Sequence, residues 1–274
     1  MIFSAEDRIQ IQQRGISPER IREQLELFAR GISYLNLHRP CTLGDGIEAI
    51  PRQEEAALVE SYEQAAATGR CLKFVPASGA ASRMFKEWFK GLERPWLSTE
   101  PTARTFVEQL PRYPFYEDLC QAAAREGRDI AALSQVGDYA AILKYVLTPK
   151  GLDYGSLPKA LLKFHKYPWG SRTALEEHLV EAARYVVDGR RISRLHITVS
   201  PEHRQPVEEF LAKIKSKYEE SYGVTYEIGI SCQEKATDTI AVDLENRPLR
   251  DENGRLCFRP GGHGALLQNL NALD

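Results

Sequence analysis

Four short segments bring together residue types whose spacing suits phosphate and nucleobase chemistry. Ser78-Gly79-Ala80-Ala81-Ser82-Arg83 lies between a short apolar run and a helical pattern. Small side chains let backbone N–H groups approach a ligand, and amides at a helix N-terminus favour phosphate. Arg83, one residue into the predicted helix, can add a bidentate phosphate contact. The segment lacks the Lys-Ser/Thr ending of a P-loop and does not follow GxGxxG. Its other reading is a tight strand–helix turn whose small residues serve packing. In Leu157-Pro158-Lys159, the proline holds its predecessor extended, so Lys159 sits on a defined backbone. Its ammonium suits a phosphate oxygen, although most lysines are simply solvated. Arg259-Pro260-Gly261-Gly262-His263-Gly264 sets three glycines around one histidine, as close backbone approach requires; a plain glycine-rich turn has the same composition. Ser231-Cys232-Gln233-Glu234-Lys235 follows a strand pattern, and Gln233 carries both donors and acceptors with which to read a base edge.

Other reactive side chains take plainer readings. His165, His178 and His203 have no metal-ligand spacing with nearby cysteines or carboxylates. Glu176-Glu177 lies in a predicted helix, where a solvated face is expected. There is no GxSxG hydrolase signature. The five cysteines (Cys41, Cys71, Cys120, Cys232, Cys257) are far apart, without CxxC, and read as reduced, mostly buried small residues.

The elements that must position these groups are legible in the pattern. Ser4 with Asp7 makes a capping box, and Ser17-Pro18 is an N-cap with proline at N1. Ile21, Leu25, Phe28, Ile32 and Leu35 then recur on one helical face, until Pro40, Gly44 and Gly46 break the pattern. A helix over residues 54–67 stops at Gly69. A strand over 72–75, the small-residue loop and a helix over 82–92 follow. Residues 95–150 read as a helical insertion. Beyond it come a helix over 173–187, a strand at 195–199, a helix from Pro201 to about Glu220, a strand over 224–230 and another at 238–242. Asp251-Glu252-Asn253-Gly254 is a turn signal, and 264–273 reads as a helix start. Strand–helix alternation from residue 71 predicts an α/β protein with a doubly wound, mainly parallel sheet. The expected division is a helical prefix over 1–65 and an α/β domain over 66–274.

Length and composition agree with this. The chain has 274 residues, of which 43% are hydrophobic and 27% charged, values that exclude disordered, collagen-like and coiled-coil classes. Its net charge of −2 speaks against a general nucleic-acid binder. The longest apolar run, Tyr139–Leu143, is far short of the roughly 20 residues of a membrane span. The N-terminus is charged and polar, unlike a signal peptide, so a soluble, cytoplasmic protein is expected.

Taken in order, the motifs resemble a bacterial family known as domain of unknown function 4301. The likeness is carried by FVPASGAASRMFK (74–86), LPKALLKFH (157–165), RTALEEHLVEAARY (172–185), TVSPEH (198–203), TDTIAVD (237–243) and FRPGGHGALLQNLNALD (258–274). That family is in turn similar to the sugar-phosphate nucleotidyltransferases, including the uridine diphosphate sugar pyrophosphorylases. The resemblance implies the nucleotide-diphospho-sugar transferase version of the α/β fold. It implies transfer of a nucleotidyl group from a nucleoside triphosphate to a sugar 1-phosphate, with magnesium as cofactor. Ser78, Gly79, Ala80, Ala81, Ser82 and Arg83 would then hold the triphosphate. Lys159 would neutralise charge at the α-phosphate. Gln233, Gly261 and Gly262 would face the base, with His263 nearby. Two departures stand out: a helical insertion separates Arg83 from Lys159, and alanines occupy loop positions where the relatives use glycine and threonine. Those enzymes also continue into a strand and a metal-holding aspartate, so the chain is expected to be incomplete at its C-terminus and its metal ligands are unassigned. A nucleotide- or sugar-phosphate-binding module without catalysis is the rival reading, and a pure interaction protein a third.

Overall fold

The computed structural model describes residues 3–31, 33–79, 81, 84–92 and 101–273. The fold is mixed α/β and divides into two compact units. One is formed by Met1–Ala65 together with Ser231–Asp274, the other by Ala66–Ile230.

The first unit opens with α1 (Ala5–Gln13), whose capping box is the one expected: Ser4 Oγ accepts from the Asp7 amide, and Asp7 returns the bond to the Ser4 amide. α2 (Pro18–Arg30) starts on the Ser17 cap with Pro18 at N1. Ile11, Ile21 and Leu25 turn inward from these helices and pack with Ile240 and Leu256. The buried face is shorter than the apolar spacing suggests. Gly31 adopts φ +75°, donates its amide to Leu27 O at 2.9 Å, and ends the helix. Leu35 is therefore 86% exposed, and Ile32 lies outside the described residues. Two-residue strands β1 (Thr42–Leu43) and β2 (Gly46–Ile47) pair around Gly44 and Gly46. α3 (Arg52–Ala67) follows and is exposed along most of its length.

The second unit begins with β3 (Lys73–Pro76). α4 (Lys86–Leu92) comes next and starts four residues later than the predicted Ser82, because Ala81 and Met84 close a turn through Met84 N donating to Ala81 O. The expected helical insertion is present as α5 (Pro101–Gln109), α6 (Tyr116–Ala124), α7 (Ile130–Gln135) and α8 (Tyr139–Leu147). Phe85, Phe106, Leu119, Ile142, Leu143 and Leu162 are among its buried core. An antiparallel hairpin of β4 (Lys163–Tyr167) and β5 (Gly170–Thr173) then leads into α9 (Ala174–Tyr185). β6 (Ile192–Val199), α10 (Arg204–Tyr222) and β7 (Thr225–Cys232) complete the unit. β3, β6 and β7 form a parallel sheet in that order, with Lys73 opposite Leu195 and Val75 opposite Ile197. Buried Val75, Leu195, Ile197 and Val199 explain why these strands form.

The segment after β7 packs with the first unit. β8 (Thr239–Ile240) pairs antiparallel with β9 (Phe258–Arg259), and α11 (Leu267–Asn271) ends the chain's regular structure. Specific bonds hold it to α1 and α2. Gln24 Oε1 accepts from the Ile240 amide at 3.0 Å, Arg14 pairs with Asp238 at 2.6 Å, and Gln10 exchanges two bonds with the Leu256 backbone. Residues 231–274 thus belong to one compact unit with 1–65, whereas the sequence groups them with 66–230. Among the described residues, no helix is long and apolar enough to cross a membrane.

Candidate functional site

Three loops meet at the carboxyl end of the parallel sheet, where ligands of α/β proteins bind. The first leaves β3. Ala77 N donates to Thr198 O at 2.8 Å, carrying the strand pairing one residue further, and the chain then enters Ser78-Gly79. Ser78 is half-buried and Gly79 exposed. The second loop carries Lys159. After α8 the backbone doubles back along that helix's last carbonyls, with Leu152 N donating to Tyr145 O at 2.7 Å and Gly155 N to Leu147 O at 3.0 Å. Only glycines permit this approach: a Cβ at Gly151 would lie 1.9 Å from Tyr145 O, and one at Gly155 2.3 Å from the Phe89 ring. Buried, extended Pro158 then delivers Lys159 with its side chain exposed. Lys159 N donates to Gly79 O at 3.1 Å, and Ala81 N to Leu157 O at 3.4 Å. Two motifs 80 residues apart in sequence are therefore laced together through their backbones.

The third loop leaves β6 as Ser200-Pro201-Glu202-His203. Ser200 Oγ lies 2.7 Å from His203 Nδ1, and His203 Nε2 lies 2.9 Å from the carbonyl of Ser156, three residues before Lys159. Loops 77–81, 156–159 and 198–203 are thus bonded pairwise into a ring. The chemistry on offer is a small-residue backbone, one ammonium and one serine–histidine pair. α4, expected from about Ser82, opens at Lys86. Ala80, Ser82 and Arg83 lie outside the described residues.

Within the first unit, Gln233 Nε2 donates to Gly261 O at 3.4 Å. Gln233 is 8% exposed. A Cβ at Gly261 would meet Thr237 O and the Ala265 methyl, each at 2.8 Å, so glycine is required there by close packing. Gly262 is exposed, and a 3-10 turn begins at His263. Gln233 and Gly261 thus come together in one unit, and Gly79 and Lys159 in the other.

Glu176 and Glu177 do not form a solvated face. Glu176 is the N3 residue of a capping box on Thr173 and also accepts from Tyr218 OH at 3.1 Å. Burial, then the charge of Glu176, pushes the Tyr218 phenol well up. Glu177 accepts from Tyr167 OH at 2.7 Å, contacts His165 Nδ1 at 3.1 Å and pairs with Arg172 at 3.3 Å. Burial pushes its carboxyl up, but those hydrogen bonds and the Arg172 charge prevail and hold it below the usual carboxylate value. Arg172 lies 4.5 Å from the Trp169 ring centroid and 5.0 Å from that of Tyr167. The Thr173-x-x-Glu176 spacing was a readable sign for the first glutamate; the second depends on the β4–β5 hairpin, which the sequence did not reveal.

Burial also departs from expectation at the cysteines: Cys41 is exposed, and Cys71, Cys120, Cys232 and Cys257 are half-buried. Among the described residues, no group of three or more His, Cys, Asp or Glu side chains is arranged to hold a metal ion.

No curated protein and no solved structure matches the chain. The family model described as "Domain of unknown function (DUF4301)" matches residues 4–274, and the chain belongs to that family.

Proposed function

We propose that the chain is a nucleotidyltransferase, joining a nucleoside triphosphate to a sugar 1-phosphate with release of pyrophosphate. The observation that carries this reading is the bond from Lys159 N to Gly79 O, which sets a lysine against a small-residue loop at the carboxyl end of a parallel sheet. In the reaction an oxygen of the sugar phosphate attacks the α-phosphorus and pyrophosphate leaves in line. Such chemistry needs positioning and charge neutralisation more than a covalent group. The backbone at Ser78 and Gly79 receives the triphosphate, and the family resemblance assigns Ala80, Ala81, Ser82 and Arg83 to the same phosphates. Lys159 offsets the charge that gathers at the α-phosphate. Gln233, Gly261, Gly262 and His263 are assigned to the base by the family resemblance alone. The doubly wound nucleotide-diphospho-sugar transferase fold, and magnesium as companion of the triphosphate, belong to the same proposal.

A pyrophosphate-release assay with magnesium, scanning triphosphates and sugar phosphates, tests it. Lys159→Ala is expected to lower turnover by about a hundredfold or more while nucleotide affinity changes little. Unchanged turnover in that variant would remove Lys159 from the chemistry. A second reading, a nucleotide- or sugar-phosphate-binding module without catalysis, is favoured by the start of α4 at Lys86, seven residues beyond Gly79. Tight nucleotide binding without pyrophosphate release is its signature.

A further inference from the structure

Ser200 follows β6 directly and is 8% exposed, as is His203. It precedes the 3-10 turn Pro201–His203, yet its hydroxyl makes no capping bond to that turn. The hydroxyl instead meets His203 Nδ1 at 2.7 Å. At 2.9 Å, the other ring nitrogen faces the carbonyl of Ser156, which can only accept. In the neutral ring, then, Nε2 carries the hydrogen and Nδ1 is the lone-pair acceptor, to which the Ser200 hydroxyl donates. A hydroxyl donating to a neutral imidazole whose opposite nitrogen is anchored by a third group is the arrangement that activates a serine nucleophile. It also lies in the ring of loops that holds Gly79 and Lys159.

We propose that Ser200 is a nucleophile toward the phosphorus of a phosphoester or phosphoanhydride, with His203 as its general base. The choice of phosphorus as the electrophile rests on the phosphate reading of the Gly79–Lys159 loops; the nucleophile itself stands on the Ser200–His203–Ser156 geometry. In the step, a bond forms between Ser200 Oγ and phosphorus as the bond from phosphorus to the leaving oxygen breaks. The hydroxyl proton moves to His203 Nδ1. The leaving oxygen keeps the bonding pair and then takes that proton. A water then gives a proton to the same nitrogen and its oxygen bonds to the phosphoserine phosphorus as the bond from phosphorus to Oγ breaks; Oγ takes that proton from Nδ1, and the phosphate leaves.

The test treats the full chain with an alkyl fluorophosphonate, which loses fluoride when a serine attacks its phosphorus, and locates the adduct by peptide mass. Labelling is expected at Ser200, absent in Ser200→Ala, and slowed by about a hundredfold or more in His203→Gln, the loss that follows removal of a general base. If His203→Gln does not fold, the wild-type chain in guanidinium serves instead, and Ser200 labelling must vanish there. No adduct at Ser200 in the folded chain, or a rate indifferent to both His203→Gln and unfolding, overturns the proposal. Adding nucleoside triphosphate separates the two readings. Protection of Ser200 supports phosphate binding by the neighbouring loops. Labelling without protection counts against that binding and leaves the nucleophile standing.

Discussion

Asp7 shows what local pattern reveals about a residue and what it hides. Its place in the Ser4 capping box follows from three-residue spacing, and the structure has it. Its second partner, Arg250, bonds to both carboxylate oxygens at 2.8 and 2.9 Å from 243 residues away, which no local pattern discloses. The Arg250 hydrogen bond, against the cost of burial, holds the Asp7 carboxyl at about 2. The unfolded value is near 3.9. A group held lower in the folded state contributes fully above its unfolded value and loses that contribution as the pH falls toward about 2. Asp7→Asn should therefore cost about 2 kcal/mol at neutral pH and much less near pH 2, as read from urea unfolding at the two pH values. An equal loss at both would assign the effect to packing. Glu176 departs from its expected solvated face for a related reason. Adjacent glutamates on a helix resemble a solvated face until a distant tyrosine is placed over them. Removing Glu176 leaves the Thr173 amide and the Tyr218 hydroxyl without their acceptor, so Glu176→Ala should cost about 2–3 kcal/mol in the same experiment.

Among the elements, those whose cause is local were legible. α2 starts at Pro18, and the helices of 101–147 follow apolar spacing between proline and glycine. β4 and β5 were not. Lys163-Phe164-His165-Lys166-Tyr167 is polar and aromatic and largely exposed, so neither an apolar run nor a clean alternation marks it. The return of the chain along α8 was also invisible, because a glycine such as Gly151 reads equally as a flexible break. In the structure a Cβ there would lie 1.9 Å from Tyr145 O, so the position requires glycine. Gly151→Ala should cost about 3 kcal/mol, the upper range for forcing a methyl into a packed site, and should lower nucleotide affinity by displacing Lys159. Thermal unfolding with and without ligand reads both effects. Full stability in Gly151→Ala would show that the 151–155 return is not the device that positions the lysine.

At the scale of the whole molecule, α/β character and a parallel β3–β6 pair were readable from strand–helix alternation. The grouping of residues 231–274 with 1–65 was not, since it depends on side chains such as Gln24 and Arg14 reaching across the sequence. The meeting of Gly79 with Lys159 was likewise out of reach, although each had been singled out by residue type. That meeting is the basis of the proposed activity, and Gly79 offers the cleanest probe of it. A Cβ at Gly79 meets nothing within 4 Å, so Gly79→Val should leave stability within about 0.5 kcal/mol while filling the space a phosphate would use. The most direct measurement is the thermal midpoint of the wild-type chain and of Gly79→Val against nucleoside triphosphates, nucleotide sugars and sugar phosphates, with and without magnesium. A ligand bound only to the folded state raises the midpoint by mass action. A selective rise with one nucleotide in the wild type, lost in an equally stable Gly79→Val, is the predicted result; no rise with any of these ligands, or the same rise in both proteins, contradicts a phosphate site at this loop.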